Sequence, residues 1–253
     1  MNKLLWATLL SLIWLSGCAS APPALPQADD AAWEDVDPVH PQDPYERWNR
    51  RVFAFNEQFD TYLFKPTAEF YRWALPDFAQ RGVKNFFSNL REPAHLTNNL
   101  LQGKPGAAGR DTGRFLINST LGIAGLLDVA TPLGLETSLE DFGQTLNVWG
   151  VPQGPYIVWP FIGGQTLTHS LALPVEYWLN PISHIDDATQ RYATGGLYLV
   201  QLRADFIEAE SLIRGDLYSF IRDAYLQRRY FLIRDGVLDQ DPFLDQDFNF
   251  DDF

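Results

Sequence analysis

Residues 115–129 read FLINSTLGIAGLLDV. They open a longer segment, Phe115 to Gln190, that contains no Lys or Arg and is flanked by Arg114 and Arg191. Its formal charges are Asp128, Glu136, Glu140, Asp141, Glu176, Asp186 and Asp187. A water-facing surface normally mixes both signs of charge, so a cation-free segment of this length packs inside or faces something other than water. It is not a plain membrane span. Asn118, Ser119, Thr120 and Asp128 interrupt it, and Pro132 follows well short of the ~20 apolar residues a spanning helix needs. The segment reads as the apolar, partly lipid-facing centre of an all-helical body.

The N-terminus predicts where that body resides. Lys3 and the apolar run Leu4–Leu15 have the form of a signal peptide over residues 1–17. Leu15-Ser16-Gly17-Cys18 resembles a bacterial lipobox, in which Cys18 is acylated and becomes the first residue of the mature chain. Cys18 is the chain's single cysteine, so no disulfide framework and no cysteine metal cluster is expected. Each buried acyl methylene contributes ~0.8 kcal/mol, and stable anchoring takes more than one chain. Ala19 fits sorting to the outer membrane. Residues 18–44, rich in Pro, Ala and Asp, read as a disordered acidic tether, residues 45–235 as the body, and residues 236–253 as a second disordered acidic tail.

The net charge is −13, but it is unevenly placed. Asp29–Glu46 and Asp235 to the C-terminus carry acids and no base, whereas bases and acids balance between Arg47 and Arg234. With no net basic stripe, nucleic acid is excluded as a partner, as is polybasic docking on anionic lipid.

Within the body, Trp48, Val52, Phe55, Phe59 and Tyr62 recur at helical spacing over Tyr45–Phe64, beside a polar line of Asn49, Asn56 and Asp60. That pattern fits a core face next to a solvated face. A sharper reading makes the polar line a route for lipid headgroups. Further helices are predicted over Pro66–Leu75, Asp77–Leu90 with a break at Glu92-Pro93, Ala94–Gln102, Ala107–Ala130, about Gln165–Leu179, Leu197–Arg214 and Asp216–Arg234. Thr145–Trp149 and Tyr156–Trp159 are β-prone on either side of a Gly- and Pro-rich segment, Gly150–Pro155. A short hairpin or extended loop is expected there.

Catalytic signatures are missing. The four histidines (His40, His95, His169, His184) lie at no ligand spacing, and no G-x-S-x-G, H-E-x-x-H or phosphate-binding loop occurs. Glu140-Asp141 is an adjacent carboxylate pair, better suited to capping or a solvated face than to acid–base work. No metal and no cofactor is expected beyond the lipid on Cys18.

A set of motifs resembles the MlaA/VacJ family of outer-membrane lipoproteins. These are Asp43-Pro44-Tyr45-Glu46, Asn49-Arg50, Phe55-Asn56, Asp60 and Lys65-Pro66, then Asn85-Phe86, Asn89-Leu90, Glu92-Pro93 and Asn99-Leu100-Leu101-Gln102-Gly103. Asn118-Ser119-Thr120, Asp128-Val129-Ala130, Phe142-Gly143-Gln144-Thr145-Leu146 and Arg222-Asp223-Ala224-Tyr225 extend the resemblance to about Asp43–Gly236. At one place the chain departs from it: Thr168-His169 stand where the family usually has Arg-Asp. The resemblance implies a ring or disc of amphipathic helices around a central amphipathic channel, lying in the inner leaflet of the outer membrane. It implies removal of mislocalised phospholipid from the outer leaflet to maintain lipid asymmetry. The cargo would pass to a soluble periplasmic lipid carrier that feeds an inner-membrane ATP-driven transporter, and a trimeric porin is an implied partner. Asn49, Phe55, Asn56, Asp60 and Asp128 are the expected channel lining. Gly150, Pro152, Gly154 and Pro155 are the expected mobile loop at its mouth. Two other readings of the residues stay open, an outer-membrane phospholipase and a lipoprotein that braces porins.

Overall fold

The computed structural model describes residues 40–210, 213 and 215–236. The signal peptide, Cys18, most of the tether and the tail from residue 237 lie outside the described residues. The described residues fall within one compact unit.

Eight α-helices and one hairpin make up the described body: α1 Glu46–Phe59, α2 Lys65–Ala74, α3 Asp77–Leu101, α4 Pro105–Thr120, α5 Phe142–Val148, β1 Tyr156–Trp159, β2 Gly163–Thr166, α6 Leu167–Leu179, α7 Ala188–Glu210 and α8 Leu217–Ile233. A π-helical turn, Asp60–Phe64, joins α1 to α2. It sits just before Pro66, which has no N–H to donate into the preceding turn. The Thr67 hydroxyl donates to Leu63 O, one turn back, at 2.6 Å. Packing contacts close a circuit: β1 on α1, α1 through the π-turn to α2, α2 on α7, α7 on α3, α3 on α5, α5 on α6, α6 on β2, and β2 back to β1. Helix α4 lies along α3, and α8 packs on α5 and β2. The all-helical class and the ring-like order of neighbours agree with the expectation from sequence; a short hairpin is present too, but it pairs Tyr156–Trp159 with Gly163–Thr166 and so lies after Gly150–Pro155 instead of around it.

Several expected boundaries are corrected. Glu92-Pro93 does not break a helix; α3 runs straight through Pro93. The fully buried Glu92 accepts from Arg114 Nε of α4 at 2.8 Å, and this contact with the neighbouring helix overrides proline's local preference. The region Ala107–Ala130 is helical only to Thr120, after which Ile123, Ala124 and Gly125 all take positive φ. A Cβ on Gly125 would stand 2.7 Å from Asn89 Cβ, so this close approach requires glycine. Thr145–Val148 belongs to α5 rather than to a strand, with Asp141 as its N-cap. Helix α7 starts at Ala188, well before Leu197. The tether ends before Pro44, because Gln42 O accepts from Tyr156 N at 2.7 Å and Asp43 is fully buried.

The distribution of polarity is inverted relative to a water-soluble bundle. Among the described residues, buried polar and charged side chains outnumber buried apolar ones. On α3 the buried positions Asn89, Glu92, His95 and Asn99 share one face at helical spacing. Each has a partner across a seam: Ser119 Oγ at 2.9 Å, Arg114, Glu140 O at 2.7 Å, and Asp111 Oδ2 at 2.7 Å. Conversely, Trp48, Phe55, Tyr62, Trp73, Phe78, Leu121, Leu171 and Trp178 are all exposed. The expected core face of α1 therefore points mostly outward, while Asn49 of its polar line points inward. Two small apolar clusters remain, Val52, Tyr156, Val158, Tyr218 and Leu226, and Ala68, Tyr71 and Ala204. No helix among the described residues is long and apolar enough to cross a membrane.

Candidate functional site

The polar line of α1 meets the hairpin. Strand β1 pairs with β2 along one edge in antiparallel register, Tyr156 opposite Thr166 and Trp159 opposite Gly163. Its other edge would present unpaired backbone groups. Two asparagines cover it. Asn49 donates to Tyr156 O at 3.0 Å and accepts from Val158 N at 2.9 Å. Asn56 donates to Trp159 O at 3.0 Å and accepts from Phe161 N at 2.9 Å. An amide side chain has one donor end and one acceptor end, so each imitates a peptide group of a neighbouring strand. Asn49 also donates to Asp43 Oδ1 at 2.7 Å, and Asp43 in turn accepts from the Tyr218 hydroxyl and Arg222.

This corrects the expectation for Asn49. It is fully buried and saturated, so it holds the hairpin and lines no route. Asn56 and Asp60 do reach a common cavity of about 200 Å³, with Phe53, Glu57, Phe59, Phe64, Phe161, Ile162 and Gly163. Phe55 is outside that set; it is half exposed, its ring edge-on to Phe161 at 5.2 Å. Asp60 is bound by Arg203 through two hydrogen bonds, 2.7 and 2.8 Å. Arg203 also reaches Glu210 at 2.9 Å, and Lys65 reaches Glu210 at 2.9 Å. These bonds, led by the one from Asp60, raise the Arg203 guanidinium above its ordinary value. Among the described residues no cation is bonded to Glu57. Burial pushes its carboxyl up, with Asp60 and Glu210 adding to the effect. The cavity thus pairs aromatic walls with one amide and two carboxylates.

Asp128 lies elsewhere. It accepts from Thr131 N and Oγ1 and from Asn118 Nδ2, fastening the loop after α4. That corrects its placement in the lining: its oxygens are spent on the loop.

The segment Gly150–Pro155 is extended, with Gly150 and Gly154 at positive φ. A Cβ on Gly154 would come within 3.0 Å of Leu167 Cβ. Thr168 ties this segment to α6. Its hydroxyl donates to Pro152 O at 2.5 Å and its N–H to Gln153 O at 3.1 Å. Leu167 N adds a bond to Pro155 O at 2.9 Å. His169 stacks on Tyr225 with Nδ1 3.0 Å from its hydroxyl, and Nε2 is 3.5 Å from Glu176 Oε1.

Asp141, His169 and Glu176 bring potential metal ligands within 4.8 Å of one another. Arg229 already stands in a cation's place: its two terminal nitrogens bond both Asp141 oxygens, and Gln144 bonds them as well. Burial raises the Asp141 carboxyl, but the bond and charge of Arg229 outweigh it and hold the group below the usual range. The donor set suits an arginine clamp between α5 and α8 better than a metal. Ser183 Oγ lies 3.0 Å from His184 Nδ1, but these are chain neighbours in the turn Pro181–His184, and the hydroxyl is shared with Asn180 O at 2.7 Å. No third side chain among the described residues orients that histidine, as an activated nucleophile would need.

The described body is thus a helical circuit with polar seams, exposed apolar side chains on its outer faces and a polar-aromatic cavity. The comparisons with known proteins make this specific. Residues 41–232 match the family described as MlaA lipoprotein. The intermembrane phospholipid transport system lipoprotein MlaA of Escherichia coli (strain K12) is 33% identical over 94% of this chain and 92% of its own length. The protein of the same description from Haemophilus influenzae is 29% identical over 94% of this chain and 93% of its own. An uncharacterised protein of Rickettsia prowazekii is 41% identical, over 56% of this chain and 57% of its own. A solved structure, "Structural basis for maintenance of bacterial outer membrane lipid asymmetry", superposes with a TM-score of 0.67 at 32% identity, over 76% of this chain and 98% of that chain. The chain belongs to the MlaA lipoprotein family.

Proposed function

We infer that this chain is an outer-membrane lipoprotein of intermembrane phospholipid transport. It takes phospholipid mislocalised in the outer leaflet and passes it toward the periplasm, so maintaining lipid asymmetry. The observation that carries this reading is the inverted polarity, apolar side chains outward and hydrogen-bonded polar side chains at the seams. A phospholipid headgroup moving through hydrocarbon leaves water without new partners, at a cost of several kcal/mol. A helical circuit that sits in lipid and offers polar groups lowers that cost. Asn56, Glu57 and Asp60 supply such groups beside the aromatic walls of Phe53, Phe59 and Phe161.

On this reading the acyl groups on Cys18 anchor the chain in the inner leaflet and the acidic segments flank the body. A trimeric porin supports it in the membrane. A soluble carrier removes the cargo toward an ATP-driven inner-membrane transporter. No bond in the lipid is made or broken, so the protein is not an enzyme.

The test is chemical labelling of surface phospholipid in a deletion strain complemented with the wild-type chain or with Cys18→Ala. Surface phospholipid should rise on deletion, fall with wild type and stay raised with Cys18→Ala. An unchanged lipid surface on deletion would leave a porin brace. Release of lysolipid from labelled phospholipid by the purified protein would establish the phospholipase instead.

A further inference from the structure

A second cavity, about 420 Å³, lies away from the hairpin, between the end of α6, the turn Pro181–His184 and the first turns of α7. Its lining includes Arg191, Asn180, Tyr177, Tyr198, Gly195 and Gly196. We propose that this groove binds one phospholipid, its phosphodiester on Arg191 and an acyl chain along the floor at Gly195 and Gly196. The proposal rests on the phospholipid-cargo reading above and names a site that reading does not use.

Arg191 is the first cation in the chain after Arg114. Its Nη1 donates to Ile185 O at 2.8 Å, and its guanidinium lies 5.5 Å from the Tyr192 ring centre. Among the described residues no carboxylate lies within ion-pair distance of it. Asp187, four residues earlier, is engaged in capping Gln190 N at 2.8 Å. Arg191 therefore brings an uncompensated charge and free donors to a cavity wall. Asn180 accepts from Ile182 N through Oδ1, and its Nδ2 has no partner among the described residues. A guanidinium with a nearby amide donor suits a phosphate oxygen pair.

The two glycines supply the second half of the argument. Inside a helix each disfavours folding by ~1 kcal/mol relative to Ala. Close helix contact normally explains such a pair. Here it does not, because a Cβ added at either position would meet nothing within 4 Å. Their effect is to leave the groove floor open. With Leu199 and the tyrosines as walls, the open floor is apolar, whereas Arg191 makes the head of the groove cationic. An anionic head joined to a hydrocarbon tail is the ligand with that pattern.

The test uses the full acylated protein in phosphatidylethanolamine–phosphatidylglycerol vesicles containing a phospholipid with a photoreactive acyl chain. Cross-linked peptides are mapped by mass spectrometry. Wild type should be labelled within residues 177–199. Arg191→Gln removes a charge-assisted contact and should lower that labelling by about tenfold. Gly196→Leu should lower it comparably by filling the floor, although it raises helix propensity, so unfolding is not the cause. Excess inorganic phosphate should not compete. The proposal is overturned if residues 177–199 remain unlabelled, if Arg191→Gln is labelled as wild type, or if phosphate alone displaces the lipid. Deletion-strain labelling separates the two readings. Raised surface phospholipid on deletion without cross-links here rejects this site alone. Cross-links here with undisturbed asymmetry reject the transport reading alone.

Discussion

Replacing Asn49 with Ala tests whether the hairpin is held by side-chain amides. The substitution removes the bonds to Tyr156 O, Val158 N and Asp43. Tyr156 and Val158 are each only 1% exposed, so water cannot take over. Two backbone groups are left buried and unpaired, each costing about 1–3 kcal/mol. Asp43 keeps Tyr218 and Arg222 and adds little. The expected loss is about 3–5 kcal/mol, a large part of the 5–15 kcal/mol typical of a folded domain. Asn56→Ala is the internal control. It breaks the same kind of pair at the end of β1 and in the turn that follows, but its bonds lie at an exposed site, and water replaces them. The expected loss there is below about 1 kcal/mol. Urea unfolding of both variants in one detergent, followed by circular dichroism, gives the comparison. If Asn49→Ala unfolds within about 1 kcal/mol of Asn56→Ala, burial is not what gives the clamp its strength, and the reasoning fails.

Two further predictions concern stability. Gly164→Ala places a Cβ 1.8 Å from the hydroxyl of buried Tyr156, an overpacking that costs about 1–3 kcal/mol or more; its melting temperature should fall, whereas Gly109→Ala, which meets nothing within 4 Å, should raise it. Asp216 is held at about 2 by the hydrogen bond from Arg50, against an ordinary 3.8. A depressed acid stabilises above its unfolded value and loses that contribution as pH falls through the folded one. Wild type should therefore lose more stability than Asp216→Asn between about pH 4 and pH 2, read as the urea midpoint.

Local chemistry made some elements legible and hid others. Gly150–Pro155 is legible as a non-helical loop because proline fixes φ and glycine reaches positive φ, but it leads into β1 rather than turning the hairpin, whose strands Tyr156–Trp159 and Gly163–Thr166 both follow it. β2, with Gly163-Gly164-Gln165-Thr166, carries no β-prone run. It is a strand because Gly164 alone leaves room for the Tyr156 ring, and that is a tertiary fact. α5 was missed in favour of β-prone Thr145, Val148 and Trp149. Its signal was present: Asp141 three residues before Gln144 is a capping pair, and Asp141 Oδ1 does accept from Gln144 N at 2.8 Å. Asn49 was recognised as polar on a helical face, but its partner lies 107 residues away. No spacing rule reaches that far.

The inward polar residues and outward apolar ones form a single energetic arrangement. In water, apolar burial drives helices together and polar seams are a burden. Against hydrocarbon the first term vanishes, since a lipid tail receives Trp73 or Leu171 as well as another helix would. Association must then come from groups that hydrocarbon cannot satisfy. Glu92–Arg114, Asn99–Asp111–Ser138, Asn98–Thr145 and Asp141–Arg229 are such groups, and they join α3 to α4 and to the loop after it, α3 to α5, and α5 to α8. The same bonds that close the circuit also make it selective for its surroundings. In water the body keeps its polar seams but exposes its aromatic faces, and association with lipid, detergent or another apolar surface is the expected outcome.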